Sequence, residues 1–247
     1  MIFVAMCNYN AGNKLRDSLE SIKAQTNLDN AKIWLIDNAS KDDPQQILKD
    51  YPFVNSIILQ KNIGKAAALN LLVSKIPDIT RYDILINLDS DIVLTKPDFL
   101  DSVKRIWELA KTKVSCLVCF QTGNSLFARQ FAWTASASGD FNYFCPKEGY
   151  GKGIAGAGLI MEYDSWSKVG GYVSDCAING TSPIYSTDDG FLMVKLWRIA
   201  NLPICVVKEL EIYHPPEENA DYQNWKNKVH QEVIKHGKVL TTSGFFD

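Results

Sequence analysis

What the chain lacks narrows its class. No apolar run approaches the roughly 18 residues of a membrane span. The opening Met1 to Met6 is apolar but short, with no basic segment before it, and reads as a first strand, not a signal peptide. Neither sign of charge dominates. Lys and Arg number 26 against 28 Asp and Glu, a net charge of −2, which gives no general attraction to nucleic acid or anionic lipid. Cysteine is sparse: six (Cys7, Cys116, Cys119, Cys145, Cys176, Cys205) are scattered over 247 residues. Cys116 and Cys119 form a C-x-x-C, but inside the apolar run Val114–Phe120, a setting for buried thiols of a reducing cytosol rather than zinc or redox chemistry. A cytoplasmic location is therefore expected. The sequons at Asn38 and Asn179 carry little weight without a secretion signal. Internal repeats, low-complexity tracts and linkers are absent.

What is there is globular. Hydrophobic residues make up 46% and charged residues 22%. A chain of this length buries about 70% of its unfolded surface and needs no disulfides to fold. The first half alternates strands and helices. Ile2–Met6, Lys32–Ile36, Ser56–Leu59 and Ile84–Leu88 read as strands. Leu15, Leu19 and Ile22 recur at helical spacing behind a possible cap, Asn13, and Pro44 opens a short helix. Leu69, Leu72, Val73 and Ile76 mark a third helix; Leu100, Val103, Ile106, Trp107 and Ala110 mark a fourth. This alternation predicts an α/β fold: one domain, a mostly parallel central sheet, helices on both faces. After about residue 112 the pattern changes. Val114–Phe120 reads as a strand, Gln121 to Lys152 has no clear period, and Ile154–Met161 is apolar and glycine-rich. Asp188–Asn201 is helical, Ile204–Val207 and Glu211–Tyr213 are extended, and Trp225–His236 reads as a tail helix.

Four places have the residue types for chemistry. Asp89-Ser90-Asp91 follows the buried strand pattern Ile84–Leu88. Ligands of open α/β sheets bind beyond the carboxyl ends of strands. In an extended segment, residues i and i+2 project to one side, so Asp89 and Asp91 could converge on one Mg²⁺ or Mn²⁺. A solvated turn or a helix cap is the plainer alternative. Asp37-Asn38-Ala39-Ser40 ends a second strand, where a carboxylate can accept from a ribose hydroxyl or a base N–H; an Asx-turn explains it equally well. The loop Cys7-Asn8-Tyr9-Asn10 carries an aromatic that can stack on a base. Asp188-Asp189 begins a helix behind Thr187. Carboxylates favour helix N-termini, yet adjacent acids repel, which raises one pKa and suits a general base. His214, in Tyr213-His214-Pro215-Pro216, is a plausible third metal ligand if a carboxylate site lies nearby.

In this order, the pieces resemble the family 2 glycosyltransferases of the GT-A fold, from about Ile2 to His214. Val4 to Asn10 looks like the family's first strand and Tyr-Asn loop. Asp37-Asn38-Ala39-Ser40 with Asp42 looks like its Asp-(Asp/Asn)-x-Ser-x-Asp motif. Asn62-Ile63-Gly64 with Ala67 and Asn70 resembles its Asn-x-Gly segment, and Asp89-Ser90-Asp91 its Asp-x-Asp. Gly156-Ala157-Gly158-Leu159 and Val169-Gly170-Gly171-Tyr172 resemble the acceptor-side segment. Asp188-Asp189 stands where the family has Glu-Asp. The resemblance implies an inverting, metal-dependent transfer of one sugar from a nucleoside-diphosphate sugar, UDP-sugar foremost, to an acceptor hydroxyl. Tyr9 would stack on the base, with Asp37, Asn62, Gly64 and Asp89 also on the nucleotide. Asp89, Asp91 and His214 would hold Mn²⁺ or Mg²⁺. Asp189, with Asp188 beside it, would deprotonate the acceptor. Residues 1–112 would bind the donor and residues 113–247 would supply the acceptor side and the base.

The departures also matter. Asp188 replaces the Glu of Glu-Asp, which leaves the choice of base between neighbours open. Phe191 stands where an acidic residue often lies. The Gln-x-x-Arg-Trp motif of processive membrane synthases is missing, which points to single transfer. A sugar-nucleotide pyrophosphorylase would need a glycine-rich basic loop after the first strand, and Cys7–Gly12 has one glycine and no Lys or Arg. A glycoside hydrolase leaves the strand-end acids at 37 and 89–91 unexplained. A non-catalytic nucleotide-sugar-binding module is the alternative from another class. The acceptor stays open among a saccharide, a lipid-linked glycan, a protein and a modified nucleic-acid base.

Overall fold

The computed structural model describes residues 1–123, 133–138, 141–146, 156–172, 188–216 and 224. The four expected strands of the first half form as β1 (Ile2–Asn8), β2 (Ala31–Asp37), β3 (Val54–Ile58) and β4 (Ile84–Asp89), in the spatial order β3-β2-β1-β4, all parallel. β1 and β4 are buried along nearly their whole length, the signature of strands covered on both faces. The connecting helices are α1 (Asn13–Lys23), α2 (Pro44–Leu48) and α3 (Lys65–Ser74). Leu15, Leu19 and Ile22 of α1 and Leu69, Leu72 and Val73 of α3 are in the core, as their spacing requires. The N-cap of α1 is Gly12, not the expected Asn13: its φ of 54° is a left-handed value that glycine adopts without penalty.

Beyond β4 the sheet is mixed rather than wholly parallel. β5 (Val93–Leu94) precedes α4 (Phe99–Ala110) and β6 (Cys116–Thr122). β7 (Trp133–Ser138) and β8 (Phe141–Pro146) pair antiparallel inside the stretch without a period. β9 (Gly158–Glu162) lies antiparallel between β4 and β6, followed by α5 (Tyr163–Val169) and α6 (Asp188–Ala200). The two extended pieces expected at 204–207 and 211–213 are one strand, β10 (Ile204–Tyr213), whose register slips between Val207 and Glu211. The expected tail helix, with His230 and His236, and the cap Thr187 lie outside the described residues.

Cys116 and Cys119 are free thiols. Burial pushes the Cys116 thiol up to about 12 and raises Cys119 as well, so neither offers a thiolate at neutral pH. Cys205 departs from the thiol expectation, being disulfide-bonded; scattered spacing gives no hint of such a pairing. Among the described residues no helix is long and apolar enough to cross a membrane.

Candidate active site

Register puts the site together. Asn8 pairs with Asp37 across β1 and β2, and Cys7 pairs with Asp89 across β1 and β4. Three strands therefore end side by side, and their loops share one edge of the sheet.

The loops after β1 and β2 are tied to each other. Asp37 is 1% exposed. Its carboxylate accepts from Asn8 Nδ2 at 2.8 Å, Ser40 N at 3.0 Å and Ser40 Oγ at 2.5 Å. Asn10 N donates to Ser40 Oγ at 2.9 Å, Lys41 N to Asn10 Oδ1 at 2.8 Å, and Gly12 N to Asp42 Oδ2 at 2.6 Å. These bonds hold Asn10, Ala39 and Asp43 at positive φ, a conformation that Ala39 in particular seldom adopts. Asp37 thus closes the Asx-type turn that its sequence allowed. Tyr9 lies on this loop and is 46% exposed, an aromatic face available for stacking.

Asn38 extends the tie to the third loop. Its Nδ2 donates to Asn62 Oδ1 at 3.0 Å, and its Oδ1 accepts from Ile63 N at 2.9 Å. Asn62 Oδ1 also accepts from Gly64 N at 2.9 Å. Gly64, at φ 86° and ψ 151°, turns the chain into α3. With both ends of its amide engaged and the residue buried, Asn38 is a structural asparagine and not a glycan acceptor.

Immediately after that turn stands Lys65, which the sequence reading did not single out. Its Nζ lies 2.8 Å from Asp89 Oδ1 and 3.6 Å from Asp189 Oδ2. One ammonium thus links the end of β4 to the start of α6, 100 residues later in the chain. The sequence signal was a lone Lys at the first helical position after Asn-x-Gly, and it points to nothing without the fold.

Asp189 is held from a second side by the Tyr172 hydroxyl, which donates to Oδ1 at 3.1 Å. Gly156 packs directly on it: a Cβ at position 156 would fall on the Asp189 carboxylate. The side chain of Asp188, the first residue of α6, lies outside the described residues.

Asp89 and Asp91 do not project from one extended segment. β4 ends at Asp89, and the chain turns, with Ile92 N donating to Asp89 O at 3.3 Å. Asp89 faces Lys65, whereas Asp91 Oδ2 lies 3.3 Å from His214 Nε2. β5 explains that meeting: it pairs antiparallel with the end of β10, Val93 against Tyr213, which brings His214 back to the turn. His214 N donates to Thr122 O at 2.9 Å, and Gly123, at φ 91°, leaves the room that the Tyr213 ring and the His214 carbonyl fill. Burial pushes the Asp91 carboxyl up, but the hydrogen bond and charge of His214 more than offset this, and the net shift is downward. Among the described residues no three of His, Cys, Asp and Glu converge as a ready metal cage. Asp91 and His214 fit as two ligands of one: an oxygen and a nitrogen 3.3 Å apart, close to the roughly 3 Å between adjacent ligands of an octahedral ion bound at about 2.1 Å.

With this geometry in view, the likenesses to known proteins can be weighed. The family model described as Glycosyl transferase family 2 matches residues 3–154. No curated protein matches the chain. A solved mannosyltransferase from Pyrobaculum calidifontis, in complex with GDP-Man and Mn²⁺, has a TM-score of 0.69 at 16% identity, over 98% of this chain and 64% of that one. TarS of S. aureus (residues 1–349), in complex with UDP-GlcNAc, has a TM-score of 0.66 at 14% identity, over 94% and 66%. GalNAc-T7 with UDP, GalNAc and Mn²⁺ has a TM-score of 0.67 at 13% identity, over 88% and 43%. The chain spans less than two thirds of each of these neighbours' length. At such identities the likeness shows the fold, which is GT-A.

Proposed function

The chain belongs to glycosyl transferase family 2, and from that premise we propose that it transfers one sugar from a nucleoside-diphosphate sugar to an acceptor hydroxyl, with inversion at the anomeric carbon. The observation that carries this reading is the ammonium of Lys65 between Asp89 and Asp189. It sets a strand-end carboxylate on the donor side within one side chain of a carboxylate suited to be a base.

In this reading residues 1–112 form the donor half. Tyr9 stacks on the base, and the knot of Asp37, Asn38, Asn62 and Gly64 shapes the nucleotide edge. UDP is the nucleotide we favour, and neighbours of this fold were solved with UDP or GDP donors. Asp91 and His214 would hold Mn²⁺ or Mg²⁺, with Asp89 nearby. Such an ion, when bound, neutralises the charge that develops on the departing diphosphate. Lys65 adds a positive charge beside Asp89. Residues 113–247 supply the acceptor side, where Asp189 takes the proton of the attacking hydroxyl as the bond to the diphosphate breaks on the opposite face of the sugar. Asp188 orients its neighbour or the acceptor.

The test is donor turnover: release of UDP from UDP-GlcNAc or UDP-Glc, or of GDP from GDP-Man, with Mn²⁺ present. Asp189→Asn keeps the shape but cannot accept a proton, so kcat should fall by roughly 10²–10⁴-fold while donor affinity holds. Near-wild-type turnover in Asp189→Asn would reduce the residue to a helix cap, for which Asn serves as well as Asp. Donor binding with no turnover in the wild-type chain would favour a non-catalytic binding module.

A further inference from the structure

Tyr172 follows α5 in the Gly170-Gly171-Tyr172 turn, and it is fixed in four ways. Its backbone N–H donates to Asn70 Oδ1 at 2.9 Å, and its carbonyl accepts from Asn70 Nδ2 at 2.8 Å, so one side chain of α3 clamps both. Its ring meets Trp166 edge to face, with centroids 5.2 Å apart. Its hydroxyl accepts from Asn87 Nδ2 of β4 at 2.6 Å. Gly171 permits the clamp, because a Cβ there would collide with Asn70 Oδ1. The residue is 2% exposed, so bulk water does not compete for its hydroxyl.

The direction of the hydroxyl proton follows from the inventory of donors. A phenol has one proton. An amide nitrogen only donates, so Asn87 Nδ2 takes an acceptor site on the Tyr172 oxygen. An ionised carboxylate only accepts. The phenolic proton must then point at Asp189 Oδ1, 3.1 Å away.

We propose that Tyr172 is the positioning residue for Asp189: its directed hydroxyl pins Oδ1 and presents Oδ2 to the acceptor and Lys65. The pin ties the base to β4 and α3, the elements that also carry Asp89 and Lys65, so the base and the donor side keep one spacing. A phenylalanine in this place would pack equally well and lose the alignment. The inference rests on Asp189 being the base, and the experiment separates the two claims.

Turnover is measured as UDP release from UDP-GlcNAc (or GDP release from GDP-Man) for wild type, Tyr172→Phe, Asp189→Asn and the double variant, with nucleotide affinity followed by calorimetry. Tyr172→Phe should lower kcat about tenfold in the wild-type background and less than about twofold in the Asp189→Asn background, with UDP or GDP affinity unchanged in both. An equal loss in both backgrounds, or no loss in the first, overturns the positioning role while leaving the base in place. Wild-type turnover in Asp189→Asn overturns both. Should Tyr172→Phe fail to fold, Asn87→Leu removes the amide that directs the proton and must show the same non-additive loss; additive behaviour there also overturns the proposal.

Discussion

The two halves of the site are built by opposite means. On the donor side, Asp37 and Asn38 sit in adjacent positions at the end of one strand, and their side chains stitch three consecutive loops together. Every partner comes from the parallel βαβ unit itself. On the proposed acceptor side, Asp189, Tyr172, Gly156 and His214 arrive from four separate segments, and they are held by contacts to residues far away in the chain. The first half is over-determined locally. The second depends on the mixed sheet to bring distant segments into register. A side chain lost from the hydrogen-bonded knot of the proposed donor half should therefore cost stability and binding together, whereas a displacement in the proposed acceptor half should cost turnover alone.

After loss of the base itself in Asp189→Asn, the largest effect expected is from Gly156→Ala. The added methyl falls on the Asp189 side chain. Moving a catalytic group by about 1 Å costs on the order of 10²-fold, so kcat should drop by about that much, with UDP affinity unchanged by calorimetry. A fall in UDP affinity of the same size would show that the two halves are not separable.

Asp37→Ala comes next. It removes the shared acceptor of the Ser40 hydroxyl and of the buried Asn8 amide, which keeps only Ser40 Oγ at 3.2 Å, at a cost of about 1–3 kcal/mol. Urea denaturation should show the loss, and donor affinity should weaken with it. An unchanged midpoint would break the picture of a locally over-determined donor half. Tyr9→Ala sharpens the same contrast from the other direction. This side chain is exposed and makes no tie in the knot, so the midpoint should stay fixed while nucleotide affinity falls by roughly 1–3 kcal/mol, the scale of base–aromatic stacking.

The same contrast explains how much could be read from the residues. β1 to β4 and their helices follow the alternation of apolar runs and helical spacing, because buried parallel strands and amphipathic helices write their burial directly into local sequence. Asp37 and Asp89 could be placed at strand ends for that reason, although the direction of their side chains could not. Asp37 turned inward to close the loop knot, and Asp89 turned to Lys65 because the chain bends immediately after β4. Lys65 was illegible: a lysine at the head of a helix has no local signal, and its two partners lie 24 and 124 positions away. The pairing of His214 with Asp91 rests on the two-residue strand β5, too short for any periodicity to show. Tyr172 stood within a recognised segment, but its hydroxyl gains meaning only from Asn87 and Asp189.

In the proposed reaction, the edge formed by the ends of β1, β2 and β4 binds a nucleoside diphosphate through a metal held by Asp91 and His214. Calorimetric titration of UDP and of GDP, in Mn²⁺ and in EDTA, against the wild-type chain and Asp91→Ala tests it most directly. One of the two nucleotides should bind wild type at least about tenfold more tightly in Mn²⁺ than in EDTA, and Asp91→Ala should abolish the difference while changing the unfolding free energy by no more than about 1 kcal/mol. Equal affinity in Mn²⁺ and EDTA for wild type, or a metal dependence that survives Asp91→Ala, would contradict it.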